Sequence, residues 1–123
     1  MSDTIEYTIE QLTAMACPKT SHGTFRLMGH EITILNVPGL IDTVGAYGLW
    51  FHKDLVIMLD PDVKPSQYEH ALYHEMTHAV LDLTGHMKLS TNERFVDCIG
   101  GALAQVASTL NRAEMKAKRK AKK

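Results

Sequence analysis

The strongest constraint on the fold is an apolar segment, Tyr73–Val80 with the sequence YHEMTHAV, that carries two histidines and a glutamate. Residues four apart on an α-helix lie one turn above each other on the same face, so His74 and His78 can aim both imidazole rings at one point. The segment therefore predicts a helix with two nitrogen ligands for a metal ion on one face.

The flanking residues set the limits of this helix. Pro65 stands just outside a capping box formed by Ser66 and Glu69, and Gly85 supplies a stop signal. We expect a helix over residues 66–84.

A second capping signal, Ser90-Thr91-Asn92-Glu93, starts another helical pattern and predicts a helix over residues 91–113. The apolar positions of its stripe are Phe95, Ile99, Leu103, Val106 and Leu110.

The chain before residue 61 has a different period. Residues 8–16 have the apolar spacing of a short helix, which ends before Pro18. Residues 30–39 (HEITILNVPG) alternate like a strand, and the runs VGAYGLWF and DLVIMLD read as a hairpin with His52-Lys53 between its strands. The expected fold class is α+β, in which a small twisted β-sheet of about three strands packs on the two helices.

Length and composition fit one globular domain of 123 residues with 45% hydrophobic residues. No apolar run approaches the roughly 20 residues that a membrane span needs, and the acidic N-terminus lacks the features of a secretory signal. We therefore expect no membrane segment and a cytoplasmic location. Two cysteines, Cys17 and Cys98, cannot form a disulfide framework or a four-thiolate site, and we expect buried free thiols.

Charge divides the chain into two parts. Residues 112–123 hold seven of the thirteen Lys and Arg and one acid, whereas residues 1–111 hold six basic and thirteen acidic residues, a net charge of −7. We interpret 1–111 as the domain and 112–123 as a basic tail. The tail is expected to be a solvated helix end, and weak contact with nucleic acid is its alternative role.

The HExxH pattern combines two metal ligands with a base. Zn²⁺ binds His nitrogens at roughly 2.0–2.1 Å, and a catalytic zinc keeps three protein ligands and one position for water. Glu75 follows His74 and lies beside that position, where it can accept a proton from the water. His70 starts about 12 Å from His78 along the axis, too far to share an ion with it, so we assign His70 to the rim or to hydrogen bonding with a ligand.

The third ligand is open from spacing alone. A metzincin pattern would require Gly and His where the chain has Leu81 and Thr84, which excludes that class. The remaining nearby candidates are Asp82, His86, Glu93 and Asp97.

Residues Asn92–Asp97 read NExxxD, and HExxH followed by NExxxD resembles the motif pair of thermolysin-type gluzincins. The resemblance, which covers residues 54–105, implies that Glu93 is the third zinc ligand and that Asp97 hydrogen-bonds a zinc-bound histidine. The short gap between the motifs is similar to that of compact ImmA/IrrE-like metallopeptidases of phages and mobile elements. A SprT-like protease, which uses a third His, is a poorer match.

Glycines on the second helix support this assignment. Gly100 and Gly101 each cost roughly 1 kcal/mol relative to Ala inside a helix. Close approach of this helix to the HExxH helix would compensate for that cost and bring Glu93 within reach of the metal.

The sequence therefore predicts a minimal zincin with one Zn²⁺ per chain, hydrolysing peptide bonds with Glu75 as base and then proton donor. The resemblance suggests a regulatory protein as substrate. Residues 55–60 form either an edge strand for peptide binding or a buried central strand. The alternative is a catalytically silent, zinc-stabilised binding module with a basic tail. Candidate transition-state donors are Tyr47, His52, Tyr73 and His86.

Overall fold

The protein has an α+β fold, in which a four-stranded mixed sheet packs against helices. The computed structural model describes residues 8–15 and 23–121. In chain order the elements are α1 (Ile9–Met15), β1 (Gly23–Leu27), β2 (His30–Asn36), α2 (Leu40–Val44), β3 (Gly48–Phe51), β4 (Val56–Leu59), α3 (Pro65–Leu83), α4 (Met87–Ser90) and α5 (Glu93–Ala121).

The sheet has the strand order β1-β2-β4-β3. The β1/β2 and β3/β4 pairs are antiparallel, which confirms the predicted hairpin, and β2 and β4 are parallel. Strand β4 is thus central, and Ile57, Met58 and Leu59 are fully buried. The edge-strand interpretation of residues 55–60 was wrong, and the outer strand beside β4 is β3.

The prediction of three strands missed β1. Only Phe25 and Leu27 of this strand are partly buried, so its pattern is too short to identify a strand by itself. Its place in the sheet depends on antiparallel pairing with β2, where Phe25 lies opposite Ile32. The short α2 was missed as well, because it spans one turn between two glycines of positive φ, Gly39 and Gly45.

Both faces of the sheet are covered. One face packs on α3 through a cluster that includes Ile57, Leu59 and Leu72. The opposite face packs on α1 and α2 through a second cluster that includes Leu12 and Met58. Successive residues of β4 point to opposite faces, so this central strand contributes to both clusters.

Helix α3 begins and ends within one residue of the predicted limits, but its cap differs. The N-cap is Lys64, whose backbone N–H donates to the Gln67 side chain at 3.1 Å, so the predicted capping box at Ser66 was wrong. Pro65 occupies the first helical turn, where its fixed φ suits the helix and its missing N–H is not needed. Gly85, with φ 84°, follows the end of the helix.

The helix predicted over residues 91–113 is α5, which begins two residues later, at Glu93, where Asn92 accepts a hydrogen bond from the Phe95 N–H at 3.1 Å. The short α4, just before it, was not predicted. Helix α5 continues through residues 112–121 with these residues exposed. Cys98 is exposed on α5, which corrects the expectation for this thiol, whereas Cys17 lies outside the described residues. Across the described ranges, no helix combines the length and apolar character needed to cross a bilayer.

Candidate metal centre

Helices α3 and α5 approach each other so closely that one position requires glycine. A Cβ at Gly100 would lie 2.8 Å from the Cα and 2.9 Å from the N of His74. At the next residue, a Cβ on Gly101 would lie 3.2 Å from the Cε1 of His70. The two glycines therefore allow the backbones to meet beside the HExxH motif, which confirms the close approach predicted for these helices.

The three predicted metal ligands converge across this interface. Nε2 of His74 lies 3.1 Å from Oε1 of Glu93, and Nε2 of His78 lies 3.2 Å from Oε2 of the same carboxylate. One potential ligand atom from each residue falls within 4.8 Å of the others. The carboxylate at the start of α5 thus faces both imidazoles one helical turn apart.

Hydrogen bonds orient both imidazole rings. Oδ1 of Asp97 lies 3.1 Å from Nδ1 of His74, as expected for the residue one turn after Glu93. The same oxygen lies 2.9 Å from Nε2 of His70, so His70 reaches the centre through Asp97. The pKa of Asp97 is lowered, chiefly by its hydrogen bond to His70 and also by His74.

Ser90 holds the other ring, a role that the sequence reasoning missed. Its buried hydroxyl lies 2.9 Å from Nδ1 of His78. Ser90 belongs to α4, a short helix that was not predicted. The sequence places Ser90 three residues before Glu93, close to a predicted ligand, but this position was interpreted as part of a helix capping signal.

The donor set fits a zinc ion on chemical grounds. His74 faces a carboxylate at each ring nitrogen, and a neutral imidazole has only one N–H to donate. With Nδ1–H donating to Asp97, a cation between Nε2 and the Glu93 carboxylate would satisfy the second contact. Two His nitrogens and one carboxylate form a ligand set found in catalytic zinc sites. The two oxygens of the Glu93 carboxylate lie 3.1 and 3.2 Å from the Nε2 atoms of His74 and His78, so these three residues would hold one cation between them.

Glu75 lies on α3 directly beside this donor set. The residue is 8% exposed, and burial raises the pKa of its carboxyl to about 7, with a smaller contribution in the same direction from Glu93 and an opposing one from His74. Strand β3 packs against it: a Cβ at Gly48 would lie 3.1 Å from the Cγ of Glu75. A carboxyl that titrates near neutral pH is suited to both accept and return a proton.

An open cavity of about 810 Å³ connects these groups. Its walls are β3 with the residues before it on one side, and α3 with the start of α5 on the other. His74, His78, Glu93 and Glu75 all line the cavity, as do His70 and Asp97. A molecule that spans the cavity would therefore contact the outer strand of the sheet and the donor set together.

Of the four candidate transition-state donors, the structure brings only Tyr47 into the cavity lining. Its hydroxyl lies 3.4 Å from the Gln67 amide nitrogen. Among the others, His52 stacks on Trp50, Tyr73 packs against the core, and His86 lies 3.0 Å from the Thr84 hydroxyl.

The remaining third-ligand candidate, Asp82, has a different partner. Its carboxylate accepts a hydrogen bond of 2.9 Å from the indole N–H of Trp50 and ties α3 to β3.

Comparisons of the chain with protein-family models, curated proteins and solved structures gave no match in any of the three.

Proposed function

We propose that this protein is a zinc-dependent metallopeptidase with a minimal zincin fold. The observation that carries the proposal is the convergence of His74, His78 and Glu93 next to Glu75. These three residues would hold one Zn²⁺ per chain. When bound, the ion would acidify a water molecule and polarise the scissile carbonyl.

The chain's own residues have separate tasks in this reaction. The Glu75 carboxylate accepts the proton of the attacking water and then returns it to the leaving amine, a role supported by its position beside the three proposed ligands in the cavity wall. Asp97 and Ser90 hold the two imidazoles with Nε2 directed at the Glu93 carboxylate. The hydroxyl of Tyr47 is the donor best placed to stabilise charge on the carbonyl oxygen.

The outer strand supports a peptide as the substrate. Among the described residues, β3 pairs with β4 on one side only, and Gly48 to Trp50 border the cavity. An extended peptide could hydrogen-bond to the free edge of β3 and lie across the cavity. The resemblance to ImmA/IrrE-like enzymes makes a regulatory protein the first substrate class to try.

Metal analysis beside peptide cleavage tests the proposal. Wild-type protein should contain one zinc per chain and cleave unfolded protein substrates. Glu93→Ala should lose zinc and cleavage together, because it removes one of three ligands. Glu75→Gln should keep zinc and lose at least about 100-fold in turnover, the magnitude of a general base.

Two results would overturn the peptidase proposal. Zinc retained at full affinity in Glu93→Ala would exclude the proposed ligand set. Zinc bound to wild type with equal, background cleavage by wild type and Glu75→Gln would instead support a catalytically silent, zinc-stabilised binding module.

A further inference from the structure

Helix α5 carries a second surface that is separate from the metal centre. Four large aliphatic side chains on this helix are between 40% and 63% exposed. We call this surface the α5 seam, and it consists of Ile99, Leu103, Val106 and Leu110. Buried Val96, Gly100 and Ala104 lie on the face that packs against the rest of the chain. The seam therefore lies off the packed face, and each of its side chains keeps at least 40% of its surface exposed.

The spacing of the seam indicates the shape of its partner. Its residues are separated by four, three and four positions, the alternation of a and d sites in a heptad repeat. A stripe this narrow is typical of a coiled-coil seam, whereas packing on a broad core uses a wider face. The next two positions, Ala113 and Ala117, continue the repeat with small residues. The surface is thus shaped for another helix.

The charge distribution favours a second copy of the same chain. Residues 1–111 carry a net charge of −7 and residues 112–123 a net charge of +6, so each copy offers both signs. A parallel pair of α5 helices would place the two basic segments side by side. An antiparallel pair places them at opposite ends, where each runs past the acidic body of the other copy.

We propose that the α5 seam joins two copies of this chain as an antiparallel helix pair. In antiparallel coiled coils an a position faces a d position. The matching register places Leu103 opposite Val106 of the second copy and Ile99 opposite its Leu110. The pair also stabilises residues 112–121, which extend α5 in the solvent without packing of their own.

Sedimentation of the purified full-length protein over a range of concentrations tests the dimer. Wild type should sediment at twice the chain mass of 13.7 kDa. Leu103→Glu should raise the dimer dissociation constant by at least about 100-fold, because it puts a charge into the centre of an apolar interface. Leu110→Glu provides a second variant at the end of the seam.

Met115→Glu is the matched control. Met115 is 56% exposed on the same helix but lies outside the heptad positions, so this variant should remain dimeric. Circular dichroism establishes that each variant keeps its helices. Two results would overturn the proposal. One is a wild type that is still monomeric at about 100 μM, roughly 100 times a micromolar dissociation constant. The other is a dimer that Met115→Glu weakens as much as Leu103→Glu does.

Disulfide trapping tests the orientation. In a background without Cys17 and Cys98, chains with Ile99→Cys are mixed with chains carrying Leu110→Cys. An antiparallel pair forms the mixed disulfide, because the two positions face each other. Cross-linking of Ile99→Cys chains with each other, without the mixed product, would establish a parallel pair and contradict the register proposed here.

Discussion

Asp97 lies with one carboxylate oxygen 3.1 Å from Nδ1 of His74, so a residue of α5 fixes the orientation of a ring on α3. Asp97→Asn should weaken zinc binding by about 10- to 100-fold, because the amide keeps the shape but loses the charge that makes His74 a stronger ligand. Competition with a chelator of known affinity measures the change.

Asp82→Asn is the control for this substitution, because Asp82 is also a carboxylate bonded across two elements but its partner is Trp50. It should leave zinc affinity within about twofold, well below the effect expected at Asp97. Equal affinities for Asp97→Asn and wild type would mean that the Asp97 contact does not support the metal ligand.

Ser90→Ala should lower zinc affinity by about tenfold, because the hydroxyl that holds Nδ1 of His78 is lost. The neighbouring Thr91→Ala removes a hydroxyl that bonds only to the Lys88 carbonyl of its own helix. The same chelator titration should show no change for Thr91→Ala. If both substitutions have the same effect, the contribution of Ser90 is to α4 rather than to His78.

Gly100→Ala and Gly101→Ala should have opposite outcomes. The Gly100 Cβ would meet the backbone of His74, so this substitution must separate α3 from α5 and should destabilise the protein by at least about 2 kcal/mol, with weaker zinc binding. The Gly101 Cβ would meet only the half-exposed His70 ring, which can turn aside. At position 101, alanine favours the helix by about 1 kcal/mol relative to glycine, so the free energy of unfolding of Gly101→Ala should equal or exceed that of wild type.

Urea unfolding of chelator-treated protein separates these cases. A Gly100→Ala protein as stable as Gly101→Ala would contradict the close backbone contact between the helices.

The stability of the metal-free protein should fall as the pH rises through the titration range of Glu75. The pKa of this carboxyl is about 7 in the folded chain and near 4.5 when unperturbed, so the folded state holds a proton that the unfolded state has released. Between pH 5 and pH 8 this group should reduce the free energy of unfolding by about 3 kcal/mol.

Glu75→Gln isolates this contribution, because glutamine does not titrate. Urea unfolding at several pH values gives the free energy of unfolding of both proteins. As the pH rises, the free energy of unfolding of wild type should fall relative to that of Glu75→Gln. Parallel pH profiles for the two proteins would show that burial does not perturb the Glu75 carboxyl.

The helical half of the fold was predictable because its signals are local. One helix face is described by the spacing of His74 and His78, and another by the aliphatic stripe after Glu93. Gly85 marks the end of a helix. Strand β1 was not predictable, because its place in the sheet is set by pairing with β2 rather than by its own short pattern.

The site divides in the same way. Helical geometry predicts that His74 and His78 share one face, whereas Glu93 was expected from the resemblance to gluzincin motifs, with support from the two glycines of α5. The role of Ser90 does not, because it depends on how α4 turns its hydroxyl toward His78 across the loop after α3. The central position of β4 and the outer position of β3 likewise depend on the strand order, which no single segment specifies.

All groups that face or orient the two imidazoles, from His74 to Asp97, come from 24 consecutive residues, with only α4 between the two long helices. Closing so short a loop costs little chain entropy, so the chain connection opposes the convergence of these groups only weakly. The sheet contributes the opposite wall at β3. Changes in the first sixty residues should therefore alter what the cavity accepts before they alter its affinity for a cation.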